Sequence, residues 1–177
     1  MANVSKIRDY KVTSGDCFFF DNNIWMYLFA SIAGANSQKQ KVYSSFLREI
    51  QSARATIFIS SLILSEYTNR CLRLSFGQWV ERNALIGVEY KRDYRGTDDF
   101  KASVETIEEE IKAIMALCEK TPDNFNAINL DDVLKNMNSC DFNDSYYIEL
   151  CKIGKFKLVT DDADMLSISD KIEIITM

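Results

Sequence analysis

Cys17-Phe18-Phe19-Phe20-Asp21 is a short apolar run that ends in a carboxylate, and the same pattern recurs along the chain. An apolar run of this length indicates a strand that is buried on both faces. Similar runs lie at residues 56–59 and 156–160. Residues 127–130 could form a further short strand, and residues 171–177 a final one. Between the strands, apolar residues recur at helical spacing, most clearly over residues 40–53 and 100–118. We also expect a helix over residues 22–33 and a helical turn over residues 163–168. Strands that alternate with helices predict an α/β fold with a central, mostly parallel sheet.

Length and composition indicate the broad class of protein. The chain has 177 residues, enough for one domain with a substantial core. A single proline and six glycines give no sign of a linker, so we predict one domain over residues 1–177. Within it, we expect a longer helical segment at about residues 77–122. Because the sequence has no secretory signal and no run apolar enough to span a membrane, we expect a cytoplasmic protein with no membrane contact.

Histidine is absent, and this limits the chemistry. Its absence excludes Ser-His-Asp and Cys-His nucleophile systems and histidine-ligated zinc. The five widely spaced cysteines form no Cys-x-x-Cys pair and are expected to be buried thiols. A hydrolytic site would therefore be built from carboxylates, lysine or tyrosine, and carboxylate oxygens select Mg²⁺ or Mn²⁺. The net charge of -5 argues against a purely electrostatic nucleic-acid binder, but bound cations could supply positive charge in an enzyme.

Four acidic residues lie close to the predicted strands: Asp21, Glu66, Asp144 and Asp162. Two of them directly follow strands, one lies inside the next helix, and one lies in the first turn of a helix. Each alone could cap a helix or face solvent. Ligands of parallel sheets bind at the carboxyl ends of the strands, so all four can converge there. Carboxylates brought together repel one another, and Mg²⁺ or Mn²⁺ would keep them ionised.

Four short segments, in this order, resemble motifs of the PIN-domain nucleases, including the VapC-like toxin ribonucleases of bacterial toxin–antitoxin pairs. They are Asp21-Asn22-Asn23, Ser65-Glu66, Asp144-Ser145-Tyr146-Tyr147-Ile148 and Thr160-Asp161-Asp162-Ala163-Asp164-Met165. The resemblance covers about residues 17–76 and 126–170. It implies a single PIN-like domain with a three-layer α/β/α fold and an acidic pocket that binds Mg²⁺ or Mn²⁺.

The resemblance also implies roles for individual residues. The metal ligands or water activators would be Asp21, Glu66, Asp144 and Asp162. Asp164 would be an auxiliary acid and metal ligand, while Asn23 and Thr160 would orient the acids through hydrogen bonds. Two further acids are not assigned to the site, because Asp141 would cap a helix and Asp161 would point away.

The sequence departs from the family pattern in two places. Met165 stands where the family often has an aromatic residue. Residues 77–122 form a longer segment than compact toxins need, and it could shape the substrate groove, form a homodimer contact or cover a sheet edge.

The leading hypothesis is a metal-dependent endoribonuclease that hydrolyses RNA phosphodiesters, as the toxin partner of an antitoxin protein. A second hypothesis is a non-catalytic PIN-like module that binds RNA or a protein. A third is a phosphohydrolase with Asp21 as nucleophile, although Asn23 replaces the second acid of the usual Asp-x-Asp opening.

The central part of the chain is locally basic, and its role has two interpretations. Tyr90 and Tyr94 are interleaved with six cations: Arg70, Arg73, Arg82, Lys91, Arg92 and Arg95. These residues could hold phosphates and stack bases. They could equally be a solvated surface whose arginine stems cover apolar area.

Overall fold

The computed structural model of the protein describes residues 3–34, 37–166 and 172–177. The strands of this described part are β1 (Asn3–Lys6), β2 (Cys17–Phe20), β3 (Thr56–Ile59), β4 (Glu119–Lys120), β5 (Lys157–Val159) and β6 (Glu173–Thr176). They form one sheet in the order β1-β6-β5-β2-β3-β4. Every neighbouring pair among these strands is parallel, so the predicted, mostly parallel sheet is parallel throughout.

The helices of the described residues connect these strands. They are α1 (Asn22–Phe29), α2 (Ser37–Ala53), α3 (Ser61–Arg82), α4 (Asp98–Met115), α5 (Leu130–Asn136), α6 (Phe142–Gly154) and α7 (Ala163–Leu166). Short 3-10 turns cover Ile7–Asp9 and Ser31–Ala33, and a π-helical turn covers Tyr90–Tyr94. The predicted segment at residues 77–122 therefore contains the end of α3, the π-helical turn, α4 and β4.

The apolar run of β2 lies at the centre of the core. Successive side chains of a strand point to opposite faces of the sheet. Phe18 packs edge-on against Phe46 of α2, with ring centroids 5.6 Å apart. Phe19 packs against Tyr147 of α6, also at 5.6 Å. Helices thus cover both faces of the sheet, which gives the three-layer α/β/α architecture and explains why this strand is apolar on both sides.

The parallel register brings the carboxyl ends of the central strands to one edge of the sheet. Phe20 of β2 stands beside Val159 of β5, and Val159 stands beside Ile175 of β6. Backbone hydrogen bonds continue one residue further, because Asp21 N donates to Val159 O at 3.0 Å. Residues that follow these strands in the sequence, far apart in the chain, are therefore neighbours in space.

The predicted short strand at residues 127–130 is wrong. Ala127 N donates to Asn124 O at 2.8 Å in a turn, and α5 begins at Leu130. The strand that pairs with β3 is β4, which has only two residues, both polar and exposed. Partner availability beside β3, rather than the apolar character of the segment, decides which residues become the edge strand.

Other element boundaries also differ from those the sequence suggests. The helix expected from Asn22 ends at Phe29, because Ala30 is extended and a 3-10 turn follows. Strand β1 gives no apolar signal, since its residues are mostly exposed. The predicted turn at residues 163–168 is helical over Ala163–Leu166, and its remainder lies outside the described residues, as does the first residue of the strand predicted from residue 171.

The described residues also bear on membrane-spanning segments and on the state of the cysteines. None of their helices combines the length and hydropathy that crossing a membrane would require. The cysteines in them are free thiols, with Cys71, Cys140 and Cys151 buried and Cys17 and Cys118 half-buried.

The end of α6 supplies a stability prediction. A Cβ on Gly154 would lie 2.2 Å from the ring of Phe156, which is held against Phe58 at 4.7 Å between ring centroids. Gly154→Ala should therefore lower the free energy of unfolding by about 1–3 kcal/mol, measured by chemical denaturation. Gly77→Ala in α3 is the matched control, because nothing lies within 4 Å of its Cβ position. The free energy of unfolding of the Gly77→Ala control should rise by up to about 1 kcal/mol. Equal effects in both variants would contradict the close packing of Phe156 against Gly154.

Candidate metal centre

Asp21 lies at the junction of β2 and α1 with its carboxylate almost fully buried. Only 4% of the residue is exposed. Its Oδ1 accepts a hydrogen bond from Asn22 N at 2.6 Å, and its Oδ2 accepts one from Thr160 Oγ1 at 2.7 Å. Asp21 therefore caps α1 and also lies at the carboxyl edge of the sheet.

Burial and neighbouring carboxylates control the protonation of Asp21. Burial is the largest influence, and together with the negative charges of Glu66 and Asp162 it raises the pKa of Asp21 from 3.8 to about 7. The hydrogen bonds from Thr160 and the Asn22 amide oppose this rise. Asp21, Glu66 and Asp162 consequently share one electrostatic environment, although they are far apart in the sequence.

Thr160 connects the two strand ends through three hydrogen bonds. Its side chain is fully buried and donates to Asp21. It accepts from Asn23 Nδ2 at 3.3 Å and from the backbone N of Asp162 at 3.1 Å. Asn23, Thr160, Asp21 and the backbone of Asp162 are thus joined in one hydrogen-bonded group.

Among the four predicted site acids, Glu66 accepts the most hydrogen bonds from the described residues. Its Oε1 accepts from Asn22 Nδ2 at 3.0 Å. Its Oε2 accepts from Tyr147 OH at 2.8 Å and from Asn143 Nδ2 at 3.3 Å. The side chain therefore faces α1 and α6, and the alternative that it simply faces solvent is wrong.

The partners of Glu66 were not found by sequence reasoning. Asn143 and Tyr147 are four residues apart, so they share a face of α6 and flank Asp144. This four-residue spacing is the feature of the sequence that could have revealed the two partners. Burial raises the pKa of Tyr147 well above its usual value, and the charge of Glu66 raises it further. Tyr147 therefore stays protonated and donates its hydrogen bond to Glu66.

Asp144 lies in the first turn of α6, where Asp141 caps the helix as expected. Asp141 Oδ1 accepts from Asp144 N at 3.0 Å. Burial is the main cause that raises the pKa of Asp144 to about 8, followed by the charge of Asp141. The charges of Asp21, Asp162 and Glu66 contribute in the same direction. Asp144 is thus electrostatically coupled to the other three predicted site acids.

The three aspartates that follow β5, namely Asp161, Asp162 and Asp164, have different surroundings. Asp162 Oδ1 accepts from Asp164 N at 2.8 Å, so Asp162 caps α7. Asp164 is exposed at the start of that helix. Asp161 forms an ion pair with Lys39 of α2 at 2.5 Å and lies away from the acids, as expected.

The donor atoms suit a hard divalent cation, because they are carboxylate, amide and hydroxyl oxygens. Three buried oxygens in this part of the protein have no hydrogen-bond partner among the described residues: Asn22 Oδ1, Asn23 Oδ1 and Ser60 Oγ. As the side chains stand, however, no group of three or more acidic, cysteine or histidine residues in the described part is placed to hold a metal ion. The acids are thus close enough for their charges to raise the pKa of Asp21 and Asp144, but they are not in a coordinating arrangement.

Comparison with known proteins identifies the family. The sequence model of the PIN domain matches residues 18–171, so the chain belongs to the PIN domain family. No curated protein sequence matches the chain.

A solved structure from Rickettsia felis has a similar fold. A chain of the VapBC2 structure from Rickettsia felis, bound to a DNA fragment from their promoter, is 13% identical with a TM-score of 0.55. The alignment covers 91% of this chain and 98% of that chain. PAE2754 from Pyrobaculum aerophilum is 16% identical with a TM-score of 0.49, covering 92% of this chain and 84% of that one.

The raised pKa of Asp21 predicts a pH dependence of stability in the presence of a chelator. Between pH 3.8 and about 7 the folded protein keeps a proton that the unfolded chain has released. The free energy of unfolding therefore falls as the pH rises through this window. Asp21→Asn removes this titration. Its free energy of unfolding should therefore fall by about 3–4 kcal/mol less than that of the wild type between these pH values. Urea denaturation across the pH series measures it, and parallel curves for the two proteins would contradict the prediction.

Proposed function

We propose that the protein is a metal-dependent endoribonuclease, with Mg²⁺ or Mn²⁺ held by Asp21, Glu66, Asp144 and Asp162. One observation carries the proposal. Asp21 is buried at the carboxyl edge of the sheet, and the charges of Glu66 and Asp162 raise its pKa. The charges of Asp21, Glu66 and Asp162 also raise the pKa of Asp144. Negative charges gathered in a poorly solvated place favour the binding of a cation. Membership of the PIN domain family supports a nuclease.

The chain's own residues would hold the acids in place before a substrate arrives. Thr160 fixes Asp21 and the backbone of Asp162, and three donors fix Glu66. Asp144 and Asp162 are only half-buried, so their side chains have room to turn towards an ion. Asp164, exposed two residues further on, would be an auxiliary acid. A bound divalent ion would neutralise the charge that develops on the phosphodiester.

A protein partner is the second part of the proposal. The structural neighbour from Rickettsia felis is described as VapBC2 bound to DNA from their promoter. With the fold in common, we infer that this chain acts as the toxin of a toxin–antitoxin pair and that a small antitoxin protein restrains it. The fold similarity supports this inference, and the resemblance of the acid motifs to those of toxin ribonucleases supports RNA as the substrate.

The nuclease proposal predicts the behaviour of two single variants. Asp21→Asn and Asp162→Asn should abolish Mn²⁺- or Mg²⁺-dependent cleavage of a fluorescently labelled RNA, because each removes a ligand charge. Asp161→Asn is the matched control, since Asp161 is the sequence neighbour that pairs with Lys39 instead. It should keep wild-type activity.

A second measurement makes this test independent of activity. Mn²⁺ should raise the melting temperature of the wild type and of the Asp161→Asn variant by mass action, but not that of Asp21→Asn. Full cleavage by both site variants would overturn the proposed metal centre. Binding of RNA by the wild type without cleavage under any divalent ion would favour the non-catalytic module instead.

The toxin assignment predicts a growth phenotype. Induced expression of the wild-type chain in a bacterial host should strongly reduce colony formation, because uncontrolled RNA cleavage stops growth. Expression of Asp21→Asn at the same protein level should not. Co-expression of the proposed antitoxin protein should restore growth. Normal growth with abundant, RNA-cleaving wild-type protein would show a nuclease that is not a toxin.

A further inference from the structure

The structure divides the basic residues of the central segment into two groups. Arg82 pairs with Asp99, and Arg92 pairs with Glu89 and Asp93. In the described part of the chain, four other cations of this segment form no ion pair and are exposed: Arg70, Arg73, Lys91 and Arg95. The paired cations are neutralised locally, whereas the unpaired ones keep a charge available to an anion.

Two of the unpaired arginines lie on the same face of α3 as the site acid Glu66. Arg70 and Arg73 follow Glu66 at i+4 and i+7, spacings that place them along one side of a helix. The rise of an α-helix puts Arg70 about 6 Å and Arg73 about 10 Å along the axis from Glu66. Both side chains are exposed, as expected for a line of charge that begins at the acids and runs along the helix surface.

The line of charge continues to an aromatic ring beyond α3. Arg73 and Arg95 both act on Tyr90: their charges oppose the rise that burial causes in its pKa. Tyr90 is half-buried and is held edge-on by Phe76, with ring centroids 5.6 Å apart. Tyr94 is different, because it is buried and its OH contacts Ser103 Oγ at 3.0 Å. Tyr90 therefore keeps a partly accessible ring within reach of the charges of Arg73 and Arg95, and the backbone N of Arg95 donates to Tyr90 O at 3.2 Å. Tyr94 is part of the packing.

We propose that Arg70, Arg73 and Arg95, together with the ring of Tyr90, form an arginine track that binds the backbone of single-stranded RNA next to the acidic centre. The proposal rests on the proposed ribonuclease function and adds the surface on which the substrate lies. Arginines contact phosphates in any sequence, and an aromatic ring stacks an unpaired base. A chain with net charge -5 needs such a local surface to hold a polyanion.

The test compares two triple variants that remove the same charge. Arg70→Gln, Arg73→Gln and Arg95→Gln together remove the track. Arg82→Gln, Arg92→Gln and Lys101→Gln together remove cations that are paired with acids in the same segment. Fluorescence anisotropy with a labelled single-stranded RNA, in chelator so that no cleavage occurs, measures the dissociation constant across a salt series. Thermal melting checks that both variants are folded.

The track variant should bind RNA at least about tenfold more weakly in 50 mM salt, and its salt slope should fall by about 2 for three lost phosphate contacts. The control variant should stay close to the wild type. Equal weakening in both variants, or none in either, would overturn the track. Because binding is measured without metal, absence of cleavage by the wild type would count against the proposed nuclease activity and would leave this comparison intact. Tighter wild-type binding to a duplex of the same sequence would also overturn the proposal.

Discussion

The hydrogen bond from Thr160 Oγ1 to the buried carboxylate of Asp21 is the interaction on which the rest of the site depends. It joins the ends of β2 and β5, two strands separated by more than half of the chain. A carboxylate that is 4% exposed needs such donors, because burial strongly disfavours its charged form. The same threonine also accepts from Asp162 N and Asn23 Nδ2, so a single buried hydroxyl sets the relative positions of both strand-end acids.

Glu66 extends this arrangement to the helices. Its carboxylate accepts hydrogen bonds from Asn22 of α1 and from Asn143 and Tyr147 of α6, while the residue itself belongs to α3. Three helices are therefore tied at one point beside the sheet. A carboxylate fixed by several donors loses little further conformational entropy when an ion or a substrate binds, which is the physical advantage of organising a site in advance.

The strands at the centre of the sheet could be predicted because their sequences are dominated by burial. Phe18, Phe19 and Phe20 pack into both helical layers, and such a run has few alternatives to a buried strand. Strands β1 and β4 could not be predicted, because they lie at the sheet edges and are mostly exposed. Conversely, residues 127–130 look apolar but form a turn and the start of α5. Edge pairing depends on which neighbours the fold makes available, and this information is not local.

The sequence by itself determined the alternation of strands and helices, the family resemblance and the order of the acids, because these depend on local composition and spacing. Only the tertiary structure decided which polar groups meet. It assigned Asn22, Asn143 and Tyr147 to Glu66, and it turned Asp161 towards Lys39. It likewise separated Arg82, which pairs with Asp99, from Arg70 and Arg73 of the same helix, which are unpaired among the described residues. Hydrogen bonds and ion pairs act over a few ångströms between residues that are distant in the chain, so their partners are known only when the strands and helices are packed.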